Sequence, residues 1–249
     1  MQHTLRTCGF CTFNQTMKYV LIYTLFLLPA FLSSCGGQSR NTSPKEITSS
    51  PGSDPGLLTK YAYTDPAGKR LVIQNGYPRG GSRYTDTGGV VWGYAVFWTR
   101  LINETDSPLE LRIDFSKNPY EVASLPGKYI TILIPPDTMT IDKVSLYNYG
   151  LTGLASFLDK NIDKPSSLKR TINPKESTGF FVVKLSQVSE GLRGGGDVLR
   201  TGLVLKGQDL FYKVSTYSSQ SPGQPPPIVI GEKEIPCGSI NLENLVLQR

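Results

Sequence analysis

The chain has 249 residues, 39 % hydrophobic and 18 % charged, with 26 basic against 20 acidic residues and a formal net charge of +6. Its basic residues are scattered and form no Lys/Arg run, so the charge reads as ordinary solvation with a mild preference for anionic surfaces and no nucleic-acid partner. The one histidine is His3, which excludes Ser-His-Asp and Cys-His catalysis and histidine-ligated zinc or haem from everything that follows it.

Residues 1–16 contain Cys8-Gly9-Phe10-Cys11, a lone C-x-x-C that is a weak metal or redox signal without a second pair. From Met17 the chain reads MKYVLIYTLFLLPAFLSSC. One positive charge, Lys18, precedes an apolar stretch of about 13 residues from Val20 to Leu32. That length suits a secretory signal core and is short for a bilayer span. It stops at Leu32-Ser33-Ser34-Cys35, which resembles the lipobox of bacterial lipoproteins: an aliphatic residue, two small ones, then a cysteine. The resemblance implies cleavage after Ser34 and a diacylglycerol on the Cys35 thiol, with the membrane as partner. Two or more acyl chains hold a protein on a bilayer where one would not. Met17 is then the expected start, and residues 1–34 are an upstream extension plus a signal peptide that is removed.

The same resemblance implies a location. Gly36 stands where an aspartate would retain the protein at the inner membrane, and no acidic residue precedes Glu46 to mark export to the outside. The expectation is a lipid-anchored protein of the outer membrane, facing the periplasm. Loss of Arg6 and Lys18 with the leader leaves 24 basic against 20 acidic residues, a net +4. Cys237 is then the one cysteine left unmodified, so no intramolecular disulfide forms. It reads either as a buried small hydrophobe or as a thiol free to pair between molecules.

Residues 35–56 form a lipidated tether. Its GGQSRNTSPKEITSSPGSDPG run has almost no apolar side chain with which to offset ordering entropy, and about 20 residues of coil spans roughly 25 Å. Residues 57–249, about 190 of them, suffice for one large or two small domains with a real core.

Strand signals follow in order. Lys69–Gln74 lies between the turn-like Asp65–Gly68 and Asn75-Gly76. Gly88–Ile102 is apolar on both faces, as a centrally buried strand would be. Leu109–Phe115 alternates, with Leu109, Leu111, Ile113 and Phe115 inward and Glu110, Arg112 and Asp114 outward; pairing with the preceding strand is expected. Tyr129–Ile134 and Gly179–Leu185 are further candidates, as are Thr201–Lys206 and Leu210–Tyr217 around a Gly207-Gln208-Asp209 hairpin loop. Pro225–Ile230 reads as an edge strand. Leu151–Asn161 carries Leu151, Leu154, Ala155 and Leu158 at helical spacing, weakened by Gly153.

Many short strands and at most one short helix predict an all-β antiparallel sandwich. The aromatic strand, the Asn103-x-Thr105 turn, the alternating strand and the later INPKES…FFVV edge resemble immunoglobulin-like domains of bacterial lipoproteins over Gly88–Tyr217. That resemblance is one of fold and carries no function.

Chemical candidates are few. Gly191–Asp197 (GLRGGGD) lacks the Lys-Ser/Thr and the helix of a phosphate cradle and reads as a hairpin loop. Ser166-x-x-Lys169 matches the nucleophile motif of penicillin-recognising enzymes but has no S-D-N or K-T-G companion. Glu110 and Asp114 read as a solvated strand face. Trp92, Tyr94 and Trp98 share one face of a strand, the tryptophans about 20 Å apart. Exposed, they would form a stacking platform for sugars; the apolar residues around them point instead to the core. No catalytic residue, metal site or cofactor is singled out. The expected function is binding or scaffolding in the cell envelope, with a protein or glycan partner; the alternative is a carboxylate-dependent carbohydrate hydrolase.

Because the thiol of Cys35 would carry the lipid, Cys35→Ser is expected to release the protein from the membrane fraction or block its maturation. Fractionation and gel migration identical to wild type would overturn the lipoprotein reading.

Overall fold

The computed structural model describes residues 46–47, 56–65, 67–123, 125–188, 198–218 and 228–242. They build two antiparallel sheets, an all-β sandwich. The larger sheet contains β1 (Glu46–Ile47), β2 (Leu57–Thr64), β3 (Arg70–Gly76), β4 (Arg79–Thr85), β5 (Val91–Asn103), β7 (Tyr120–Glu121), β8 (Tyr129–Leu133) and β10 (Ser177–Gln187). Its order is β1-β2-β3-β5-β10-β8-β7, with β4 on the first half of β5. The smaller sheet runs β11 (Val198–Lys206), β12 (Asp209–Tyr217), β13 (Val229–Asn241), β6 (Leu109–Phe115), β9 (Ser166–Ile172).

The sequence pattern of β5 explains a third layer. Phe97 and Leu101 face the core between the sheets, where they meet Leu109, Leu111, Ile113 and Phe115 of β6 and Tyr212 of β12. Val96 and Trp98 face the other way, into a second core with Tyr149, Leu151 and Leu158. The segment covering that face holds two 3-10 turns, Ile141–Ser145 and Tyr147–Gly150, and the helix α1, Leu154–Asn161. The helix begins three residues later than its apolar spacing suggests. Gly153 sits at its N-terminus with φ 65°, a left-handed conformation that ends the preceding stretch.

The alternation of β6 is realised: its odd residues are buried and Glu110, Arg112 and Asp114 exposed. Its expected pairing with β5 is not. At residues 99–103, β5 already has β3 on one side and β10 on the other, so no edge is open to β6. The chain instead crosses to the second sheet, where β6 pairs with β13 and β9. Asn103 holds that crossing. Its buried side-chain amide donates to the carbonyls of Ser107 (2.8 Å) and Ile172 (2.9 Å), and its oxygen accepts from the Thr105 hydroxyl at 2.7 Å.

Pro225–Ile230 also differs from its expectation. The strand starts at Val229, runs to Asn241 and lies inside the smaller sheet. Pro236 is tolerated because β6 joins β13 only from Gly238 onward, and the pairing with β12 shifts register beside the proline. Gly238 is required there: a Cβ would lie 2.0 Å from the Arg112 carbonyl oxygen. Ser166–Ile172 is an edge strand of the smaller sheet, where no strand is expected from the sequence. Leu57–Thr64, with Tyr61 and Tyr63 both buried in the inter-sheet core, is a strand that its alternating tyrosines could have revealed.

The open edge of β11 is closed by side chains. Asn75 on β3 is 1 % exposed. Its oxygen accepts from Leu203 N–H at 2.8 Å, and its amide donates to the Leu203 carbonyl at 3.1 Å, as a neighbouring strand would. The Thr99 hydroxyl also donates to that oxygen, and the amide reaches Thr59 Oγ1. Farther along, Leu205 N–H donates to the Tyr63 hydroxyl. Removing Asn75 would orphan two buried backbone groups, each costing about 1–3 kcal/mol. Asn75→Ala is therefore expected to lower stability by about 3 kcal/mol in urea unfolding, and Asn75→Asp to fall short of wild type, since a carboxylate can accept from Leu203 N–H but cannot donate to the Leu203 carbonyl. A loss below about 1 kcal/mol would show that the joint does not hold the sheets.

Candidate functional site

Trp92, Tyr94 and Trp98 do point to one face of β5, and that face is covered. Trp98 is 2 % exposed, makes an edge-to-face contact with Tyr149 (centroids 6.5 Å, 87°) and offers no ring face to a sugar. Gly76 lies against the Trp98 indole, where a Cβ would meet Nε1 at 2.0 Å. Trp92 and Tyr94 are half-buried against the same core. The Trp92 indole donates to Asp86 Oδ2 (2.9 Å), whose other oxygen closes the β4–β5 turn by accepting from the N–H groups of Gly88 and Val90. Trp98 is therefore a core ring, and Trp92 caps the β4–β5 turn.

The other sequence candidates resolve as follows. Ser166 and Lys169 lie three apart on a strand, so they point to opposite faces and cannot act as the helical Ser–Lys pair. Ser166 Oγ accepts from Ile134 N–H at 2.7 Å. On the exposed face of β6, Asp114 pairs with Arg112 (2.6 Å) and Glu110 accepts from the Thr171 hydroxyl at 3.1 Å. Cys237 is the buried hydrophobe of the two readings: 2 % exposed, its thiol donates to the Leu210 carbonyl. Burial, with Asp114 nearby, pushes that thiol up to about 12. Cys8, Cys11, Cys35 and Gly191–Asp197 lie outside the described residues.

Another constellation emerges where β2 faces β11, β12 and β13. A groove of about 60 Å³ is lined by Thr59, Tyr61, Arg200, Lys213, Tyr217 and Glu232, among others. Arg200 pairs in register with Ser215, so Tyr217, two residues on, is its diagonal neighbour across β11 and β12. The guanidinium carbon stands 4.4 Å from the Tyr217 ring centroid and 5.6 Å from that of Tyr77. Both rings attract the cation. Arg200 is half-buried and makes no ion pair among the described residues. The groove's carboxylate, Glu232, is already engaged by Lys213 (2.8 Å) and the Ser215 hydroxyl (2.9 Å). Burial works against its charge, but these two partners outweigh burial and hold its pKa below the usual carboxylate value. The groove thus offers a guanidinium that forms no ion pair among the described residues, with hydroxyls and aromatic rings around it. No sequence signal marks it, because Tyr77, Arg200 and Tyr217 meet only through sheet pairing.

A second chemically distinct group is Lys184. It sits on β10 between Ala95 and Ile132, on the face that Phe180 and Val182 turn toward the inter-sheet core. It is half-buried, and no carboxylate pairs with it among the described residues. Burial brings its pKa down from 10.5 to about 8.

No protein-family model, no curated protein and no solved structure matches this chain.

The lowered pKa of Lys184 makes stability depend on pH in a defined sense. Below about 8 the folded protein must hold a desolvated ammonium, and the full cost is present. Between about 8 and 10.5 the unfolded chain binds the proton more tightly than the folded one, so stability rises with pH through that window. Lys184→Met is expected to be more stable than wild type at neutral pH, with the gap closing as pH rises past 8. Parallel urea titrations of both proteins measure it; a gap independent of pH would show that the amine is not the cause.

Proposed function

We propose that this chain is a lipid-anchored binding module of the cell envelope, held on the outer membrane and facing the periplasm by acyl chains on Cys35. The lipobox-like Leu32–Cys35 supports the anchor, and the sandwich supplies a rigid body for immunoglobulin-like presentation of a site. One observation carries the binding role: Arg200, clamped between Tyr77 and Tyr217 in a groove rimmed by Thr59, Ser215 and Lys213. A guanidinium fork beside hydroxyls forms a chemistry that recognises glycan hydroxyls and ring oxygens. The ligand class is an envelope glycan, bound without covalent change.

Arg200→Gln is expected to weaken glycan binding at least tenfold, equivalent to about 1.4 kcal/mol, while leaving the unfolding midpoint unchanged. Calorimetric titration against envelope glycan fragments measures it. Undiminished binding by Arg200→Gln, or a wild-type protein that binds no fragment, would overturn the reading.

A further inference from the structure

The polar side chains of the groove stand in a row set by strand register. Arg200 on β11 pairs with Ser215 on β12, and Ser215 pairs with Glu232 on β13. In-register residues of neighbouring strands share a face, so cation, hydroxyl and carboxylate lie side by side on one side of the smaller sheet. Two strand spacings, about 10 Å, separate the backbones of the outer two. Lys213, two residues before Ser215 on β12, is on the same face and pairs with Glu232 at 2.8 Å. Across the groove, the pairing of β2 shifts register between Leu57 and Thr59, and Leu58 and Thr59 supply the facing wall.

The charges in this lining do not cancel. Its charged residues are Arg200, Lys213 and Glu232, of which Lys213 and Glu232 neutralise each other. Arg200 faces two aromatic rings and no carboxylate among the described residues. A ring attracts a cation but leaves its charge in place. One positive charge therefore remains, at the Arg200 end, and a ligand with one negative charge matches it. A planar guanidinium meets a carboxylate through two parallel hydrogen bonds.

The other end of the row asks for hydrogen-bond donors. Glu232 accepts from Lys213 and from the Ser215 hydroxyl (2.9 Å), and a carboxylate has about four lone-pair sites, so it can also accept from a ligand hydroxyl. A ligand ammonium there would compete with Lys213 for the same carboxylate, which disfavours a zwitterion. The groove's 60 Å³ holds about four to six waters at roughly 10–15 Å³ each, space suited to one sugar unit rather than a chain.

We infer that the groove holds a sugar acid: a single glycan unit whose carboxylate sits at Arg200 and whose hydroxyls face Ser215 and Glu232. This rests on the groove being the glycan site proposed above.

Methyl β-glucuronide, its uncharged methyl ester, methyl β-glucoside and glucose 6-sulfate, titrated into the protein and followed by NMR at low and high salt, test it. The glucuronide is expected to bind about tenfold tighter than the ester and the glucoside, as one charge-assisted hydrogen-bonded contact allows, and to weaken with salt. Arg200→Gln should bring the glucuronide down to the level of its ester, with the unfolding midpoint unchanged. Arg200→Lys keeps the charge without the fork and should bind the glucuronide more weakly than wild type but more tightly than Arg200→Gln. Equal affinity for the charged and uncharged sugars overturns the acidic ligand; if that binding is lost in Arg200→Gln, the groove remains a glycan site. A preference for the glucuronide that persists in Arg200→Gln overturns the role of Arg200 as its partner. A sulfate that binds as tightly as the carboxylate overturns the sugar acid in favour of any monoanionic sugar. Failure of all four to bind overturns this inference, and other envelope glycan fragments whose binding Arg200→Gln removes would show that the groove reading survives it.

Discussion

A single asparagine side chain joins the two sheets where the groove lies. Asn75 presents to Leu203 the donor and acceptor that a neighbouring strand would supply, so β11 ends its sheet without exposing those backbone groups. An unpaired buried peptide group is too costly to leave, and an amide is the side chain whose two ends match it. The same amide reaches Thr59 on β2, and Gly202 lies directly against it: a Cβ there would come within 2.9 Å of Nδ2. Thr59 and Gly202 also line the groove. The placement of Arg200, two residues before Gly202 on β11, follows from how Asn75 docks that strand.

Asn103 does at the crossing what Asn75 does at the edge. It ties the loop that leaves the larger sheet to the end of β9, from which the chain returns. Asn103-Glu104-Thr105 has the form of a glycosylation acceptor, but the amide is fully buried and occupied by three carbonyls. Geometry here gives that motif a structural use.

The thiol, the amine and the ring-stacked arginines occupy different surroundings in this fold. The thiol of Cys237 is kept protonated by its apolar surroundings. Lys184 is turned toward the inter-sheet core. The arginines, by contrast, are half-buried beside rings that attract without neutralising them. Arg79 also donates to the Leu146 carbonyl. Asn148 and Tyr149, consecutive non-glycine residues with φ 44° and 56°, turn Tyr149 beneath Arg79.

Local pattern was enough for much of the scaffold. The strict alternation of Leu109–Phe115 sets which side of β6 is buried, because period-two side chains leave no choice of face. The two apolar faces of β5 required cover on both sides, and the second core provides it. Even spacing put Trp92, Tyr94 and Trp98 on one face, but only the segment at 138–158 packing onto that face decided that Trp98 is core. Which strand lies beside which was likewise a tertiary matter: β6 had no open edge on β5, and β13 entered its sheet's interior through a register shift at Pro236. The groove lay furthest from view. Tyr77, Arg200 and Tyr217 carry no motif; they become one site because two sheets meet at Asn75, a contact spanning 128 residues of chain that no local preference encodes.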